Sequence, residues 1–137
     1  MAKWKIKYTG RPGRTKRPYI EVVLRFAGKQ TPGHPMVVDT GSDRCMFNEQ
    51  LARDYLDINP AMYGMLDKAT GLSGTDDVAV FPHLEVFLPE LKRSFIVSAQ
   101  FKFLLFPGVI GHEGVLNQLK VTFHHGEYFE IDDSDHP

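Results

Sequence analysis

Met36-Val37-Val38-Asp39-Thr40-Gly41-Ser42 joins a continuously apolar triplet directly to an Asp-Thr-Gly-Ser turn. An apolar run with no polar alternation, bounded by turn residues, predicts a short buried strand. A carboxylate that leaves such a strand and enters a tight turn is held at a fixed point, with little side-chain freedom and with backbone N–H groups close by. Gly41 lets another backbone approach, while the hydroxyls of Thr40 and Ser42 can bond to backbone groups or orient the carboxylate. Taken alone, Asp-Thr-Gly is also what an ordinary turn looks like. Its meaning depends on the rest of the chain.

Alternation of apolar and polar residues dominates on both sides of this junction, which predicts β-structure. Lys3–Tyr8 reads as a strand with Lys3, Lys5 and Lys7 on its solvent face, and Tyr19–Phe26 as a second, with loops over Thr9–Arg14 and Ala27–Pro35. Asn48 is placed to cap a helix over Glu49–Leu56, whose Leu51, Ala52, Tyr55 and Leu56 share one face, and Asn59-Pro60 stops it. A hairpin over about Leu66–Phe81 turns at Gly71-Leu72-Ser73-Gly74, and Val78–Phe81, Leu84–Leu88 and Ser94–Phe101 read as strands separated by Pro82 and by Pro89–Arg93. Val109-Ile110-Gly111 leads into a short helix near Glu113–Leu119. Lys120–Phe123 and Tyr128–Ile131 then form a last hairpin around His124-His125-Gly126-Glu127. The fold class expected is mainly all-β with one or two short helices. The chain divides into a basic strand and loop segment (1–17), the main domain (18–131) and an acidic tail (132–137).

With 137 residues, 42% of them hydrophobic and 24% charged, the chain suits one globular domain and excludes a second large one. No apolar run reaches the roughly 18–20 residues of a membrane span, and the residues after Met1 lack the apolar stretch of a secretory signal. No membrane partner and a cytoplasmic location are therefore expected. Cys45 is the single cysteine, so an internal disulfide and a cysteine-rich zinc site are excluded, and its apolar surroundings predict a small core residue. His124-His125 reads as a turn, since neighbours on a strand point to opposite faces. No metal site is expected. The net charge of −1 conceals an uneven chain: residues 1–35 hold nine Lys/Arg against Glu21 alone, whereas residues 36–137 hold seven against sixteen Asp/Glu. A basic head attracts polyanions, but lysines alternating with Trp4, Ile6 and Tyr8 are what an edge strand carries, and nucleic acid is not expected as a partner.

The Met36–Ser42 stretch followed by Leu51-Ala52-Arg53-Asp54-Tyr55-Leu56, together with Val109-Ile110-Gly111 leading into Val115-Leu116 and Lys120-Val121-Thr122-Phe123, resembles the retropepsin-like aspartic protease family. The resemblance spans about residues 18–131. It implies a closed β-barrel of acid-protease type, with Val109, Ile110 and Gly111 packed beside the catalytic loop. It also implies that Gly71, Leu72, Ser73 and Gly74 form the turn of a flap that closes on an extended peptide. Two identical chains of that family each supply one Asp-Thr-Gly loop, and this chain holds one such loop in about half the length of a two-lobed enzyme. The resemblance therefore implies a homodimeric endopeptidase in which two Asp39 carboxylates activate a water, supported by Thr40, Gly41 and Ser42, with no cofactor. Asp76 and Asp77 beside the flap turn depart from the family pattern and point to basic peptides. His112-Glu113 stands where the family carries other bracing residues, so a different scheme is expected, with His112 pairing to Glu113, Asp43 or the basic head of the other chain. The alternative is an inactive member of the same fold that binds peptides or serves assembly. Trp4 and the Phe101–Phe106 cluster are expected in the core or in dimer contacts, the cluster also being able to line a substrate pocket.

Overall fold

In the computed structural model, which describes residues 2–60, 65–71 and 74–133, two sheets share one core. The larger follows the alternation read from the sequence. Strand β2 (Tyr19–Phe26) buries Ile20, Val22 and Leu24, and β8 (Arg93–Lys102) buries Phe95, Val97, Ala99 and Phe101 at strict period two. Strands β4 (His34–Val38), β5 (Met46–Asn48), β7 (Gly74–Leu88) and β9 (Gly108–Ile110) complete the wall, in the order β2-β4-β9-β5-β8-β7. Pairing of β2 with β7, from Val23 opposite Phe87 to Arg25 opposite Glu85, closes these six strands into a barrel. The short β3 (Lys29–Gln30) flanks β2, and β6 (Met65–Gly71) extends the sheet beyond β7. Phe26, Phe81, Phe101 and Phe47 run through the interior as successive ring contacts, with centroids 4.9, 6.2 and 6.3 Å apart. The all-β barrel expected from the sequence is present, and no helix among the described residues is long and apolar enough to cross a membrane.

The smaller sheet joins the two ends of the chain. β1 (Lys3–Lys7) and β10 (Lys120–His124) both pair antiparallel with β11 (Tyr128–Asp132) between them. β11 turns Phe129 and Ile131 into the core, where both are fully enclosed, and Trp4, Ile6 and Val121 pack beside them. Lys3, Lys5 and Lys7 face solvent as the alternation predicts.

Several local features differ from the sequence reading, among them β3, which lies inside the loop expected over Ala27–Pro35. The Asn48-capped helix α1 (Glu49–Tyr55) forms, with the Asn48 side chain accepting from the Gln50 N–H. The helix expected near Glu113–Leu119, however, is only a 3-10 turn over Leu116–Gln118. Gly114 is the reason: its φ of +86° lies outside any right-handed helix, and a Cβ there would come within 2.6 Å of the Val97 side chain. The strands predicted on either side of Pro82 are one strand, β7, whose register shifts between Phe81 and Leu84. Pro82 lacks an N–H and His83 sits at φ +62°, so the pair forms a bulge that the ladder passes over. β4 begins at His34, two residues before the apolar triplet, and β5 has no counterpart in the alternation because three residues are too few to show a period.

The enclosed Phe129 holds the terminal sheet against the barrel. Phe129→Ala should lower the free energy of unfolding by about 3–5 kcal/mol in urea titration. A loss below about 1 kcal/mol would show that the terminal sheet contributes little to the folded core.

Candidate active site

β4 and β9 run parallel, with Val37 opposite Val109 and Val38 opposite Ile110, so the two motifs that lie some seventy residues apart are neighbours. At the end of this pairing the Asp39 N–H donates to the Ile110 carbonyl at 2.9 Å. The chain then leaves the sheet. Oδ1 of the half-buried Asp39 accepts the Gly41 N–H at 2.9 Å, and the Ser42 N–H reaches back to the Asp39 carbonyl at 3.2 Å. This is an Asx-type turn in which the carboxylate is oriented by its own loop. The Ser42 hydroxyl turns the other way and donates to the Arg44 carbonyl at 2.7 Å. Its support of Asp39 therefore runs through the backbone, not through contact with the carboxylate.

Gly111 stacks against this loop so closely that a side chain has no room. A Cβ there would lie 2.7 Å from the Ser42 carbonyl oxygen and closer still to that of Arg44. With that contact made, the next two residues continue it: the His112 N–H donates to Ser42 O at 2.9 Å and the Glu113 N–H to Asp43 O at 2.8 Å. Arg44 Nε reaches Glu113 Oε2 at 3.0 Å, and His112 Nε2 lies 2.7 Å from the Thr40 carbonyl oxygen. Neither pairing expected for His112 within its own chain is the one found. Glu113 is taken by Arg44, and the imidazole bonds a backbone carbonyl of the Asp39 turn instead. Spacing along a sequence carries no signal of a side-chain-to-carbonyl bond of this kind.

The structure brings Asp39, Thr40, Gly41, Ser42, Val109, Ile110 and Gly111 together in one seam. Gly71 and Gly74 are paired partners at the end of the β6–β7 ladder, which runs without interruption from Met65 opposite Val80. Leu72 and Ser73 lie outside the described residues. Beyond the expected residues, Asn48 has a second task besides capping: its Nδ2 donates to the Leu104 and Phe106 carbonyls at 2.9 and 3.4 Å. It thereby fixes the backbone leading into β9. Of the Phe101–Phe106 cluster only Phe101 is in the core; Leu105 is 91% exposed and Phe103 72%.

Cys45, at the end of the same loop, is fully enclosed and accepts the Gly111 N–H at 3.4 Å through Sγ. Burial pushes its thiol up to about 11, opposed by the Gly111 hydrogen bond and reinforced by the Glu113 charge. It is a packing residue, not a nucleophile.

No known protein family matches the chain, and no curated protein is significantly similar to it.

The raised thiol gives a signed expectation. The folded chain holds the Cys45 proton to higher pH than the unfolded chain does, so this contribution is whole below about pH 9, the ordinary value, and is lost as pH rises toward 11. Relative to Cys45→Ala, the native protein should lose roughly 2–3 kcal/mol of advantage across that window, read from urea melts at stepped pH. A difference that stays flat with pH would place the thiol in contact with water.

Proposed function

We propose that the chain is a homodimeric aspartic endopeptidase, in which Asp39 from each of two copies forms the reactive pair. The observation that carries this reading is the seam itself. A half-buried carboxylate at the end of a strand that buries Met36 and Val38 accepts a backbone N–H from its own Asp-Thr-Gly turn and is backed by a glycine that permits contact between backbones. Such a carboxylate is pre-organised, and one copy supplies one of them. Two carboxylates within a few ångströms cannot both ionise at low cost, so the pair shares one proton. The ionised member takes a proton from a bound water as its oxygen attacks the peptide carbonyl carbon. The protonated member gives its proton to the carbonyl oxygen, which becomes a hydroxyl. In the second half of the reaction the C–N bond breaks as the leaving nitrogen takes a proton from one member of the pair and a hydroxyl of the intermediate returns a proton to the other, so acid and amine are released and the pair again shares one proton. This chemistry calls for no metal or organic cofactor. The β6–β7 hairpin is positioned in sequence to act as the flap over an extended peptide, and the acidic residues beside its turn favour basic substrates.

A second copy needs an edge to meet. The terminal sheet has two. The β1 edge carries Lys3, Lys5 and Lys7, and two such edges would repel each other. β10 has one lysine in five residues, and its Phe123, directly opposite the enclosed Phe129, is left 39% exposed where the apolar face runs off the sheet. Antiparallel pairing of β10 with its copy about Thr122 would set Val121 of one chain opposite Phe123 of the other, a β-branched–aromatic pair on the apolar face, twice. Phe123→Lys should therefore raise the dimer dissociation constant roughly tenfold or more by sedimentation equilibrium, with the folded monomer intact. An unchanged constant would place the interface elsewhere.

For the activity, purified protein is incubated with a mixed peptide library across pH 4 to 8 and products are read by mass spectrometry. Cleavage that falls at least about a hundredfold in Asp39→Asn is expected. Equal cleavage by the variant, or peptide binding by both proteins with no cleavage by either, would reject the enzyme; the latter would favour a peptide-binding module.

A further inference from the structure

One peptide unit separates an imidazole from the Asp39 carboxylate. The Thr40 carbonyl oxygen lies 2.7 Å from His112 Nε2, and the N–H of the same peptide group, that of Gly41, donates to Asp39 Oδ1 at 2.9 Å. Carbonyl and N–H are the two ends of one planar, resonance-coupled unit. Because a carbonyl oxygen only accepts, Nε2 must carry the hydrogen of this bond. The backbone that carries the ring is held in place: the His112 N–H is bonded to Ser42 O at 2.9 Å, and the His112 carbonyl accepts the Asn117 N–H at 2.9 Å.

We propose that His112 is a positioning residue for Asp39, acting through the Thr40–Gly41 peptide. The role rests on the reading of Asp39 as the reactive carboxylate, although the hydrogen-bonded chain does not. Two physical effects follow from the geometry. The imidazole fixes the tilt of the peptide plane and so aims the Gly41 N–H at Oδ1. It also withdraws density from the carbonyl oxygen, which makes that N–H a stronger donor; bonds in series reinforce one another by roughly 10–30% each. Oδ1 is thereby committed to the loop, and Oδ2 is the oxygen left to work on water.

The loop does not need the ring to stay folded. Asp39 N–H to Ile110 O, His112 N–H to Ser42 O, Glu113 N–H to Asp43 O and the Arg44–Glu113 ion pair all hold it without the imidazole. Removing the ring should disturb one peptide plane and spare the seam. That selectivity separates positioning from a general structural role.

The test compares the full chain with His112→Ala and His112→Gln, the latter keeping an N–H donor at the reach of Nε2. In two-dimensional NMR the Gly41 amide proton should move upfield in the alanine variant and return toward the native position in the glutamine variant, while the Asp39 and Glu113 amides stay in place. In peptide hydrolysis the alanine variant should lose about tenfold in kcat with KM nearly unchanged, and the glutamine variant should recover most of it. A Gly41 resonance indifferent to the alanine change, or a glutamine variant that behaves like alanine, overturns the proposal. Should no variant nor the native chain cleave peptides while the Gly41 amide responds as described, the hydrogen-bonded chain stands and the enzyme reading falls.

Discussion

The parallel contact between β4 and β9 is the constraint on which the rest of the molecule depends. It sets Val38 beside Ile110, makes the Ile110 carbonyl available to the Asp39 N–H, and brings Gly111 onto the carbonyls of the following turn. Parallel neighbours cannot be joined by a tight hairpin, so the chain must travel through α1, the β6–β7 hairpin and β8 before it returns as β9. That long excursion builds the closed wall of the barrel. The wall in turn buries β9 and the inward residues Met36 and Val38 of β4, which is what turns a common Asp-Thr-Gly turn into a fixed carboxylate.

The segment after β9 links this seam to the terminal sheet. After Gly111 the backbone stays docked on the Asp39 loop for two more residues, turns once through the 3-10 segment and enters β10. β10, β11 and β1 then form a small sheet whose enclosed Phe129 and Ile131 belong to the same core as the barrel. The charge imbalance along the sequence has a partial local resolution here, since β1 lies in register with β11 so that Lys3 stands opposite Asp132 and Lys5 opposite Glu130. The ion pair between Lys3 and Asp132, long at 3.9 Å and exposed at its lysine end, adds little to stability, and it is the alternate apolar residues that hold the sheet down.

Much of this was legible because it is written in short-range patterns. Period-two burial located β2 at its observed bounds and β8 to within a residue at each end, and the Asn48 cap located α1. The Asp-Thr-Gly-Ser turn was visible as a chemical oddity at the end of an apolar strand. What escaped depends on tertiary context. β5 is three residues long and exists only because β8 and β9 lie on either side of it. Pro82 reads as a break, yet a bulge carries β7 past it, and Gly114 reads as a tolerable helix residue until Val97 is found against it. The bond from His112 to Thr40 links residues whose separation carries no periodicity, and only the docking of Gly111 brings them within reach. The candidate seam was thus legible as a list of residues and not as a network.

Because one chain presents one Asp39 loop, the account stands or falls on whether two copies act together. The dependence of peptide hydrolysis rate on protein concentration reads this directly. Two copies acting together give a rate that rises with the square of concentration when the protein is dilute and becomes linear above the dissociation constant measured by sedimentation. A rate that is linear through the whole range, down to concentrations at which sedimentation finds only single chains, would contradict it.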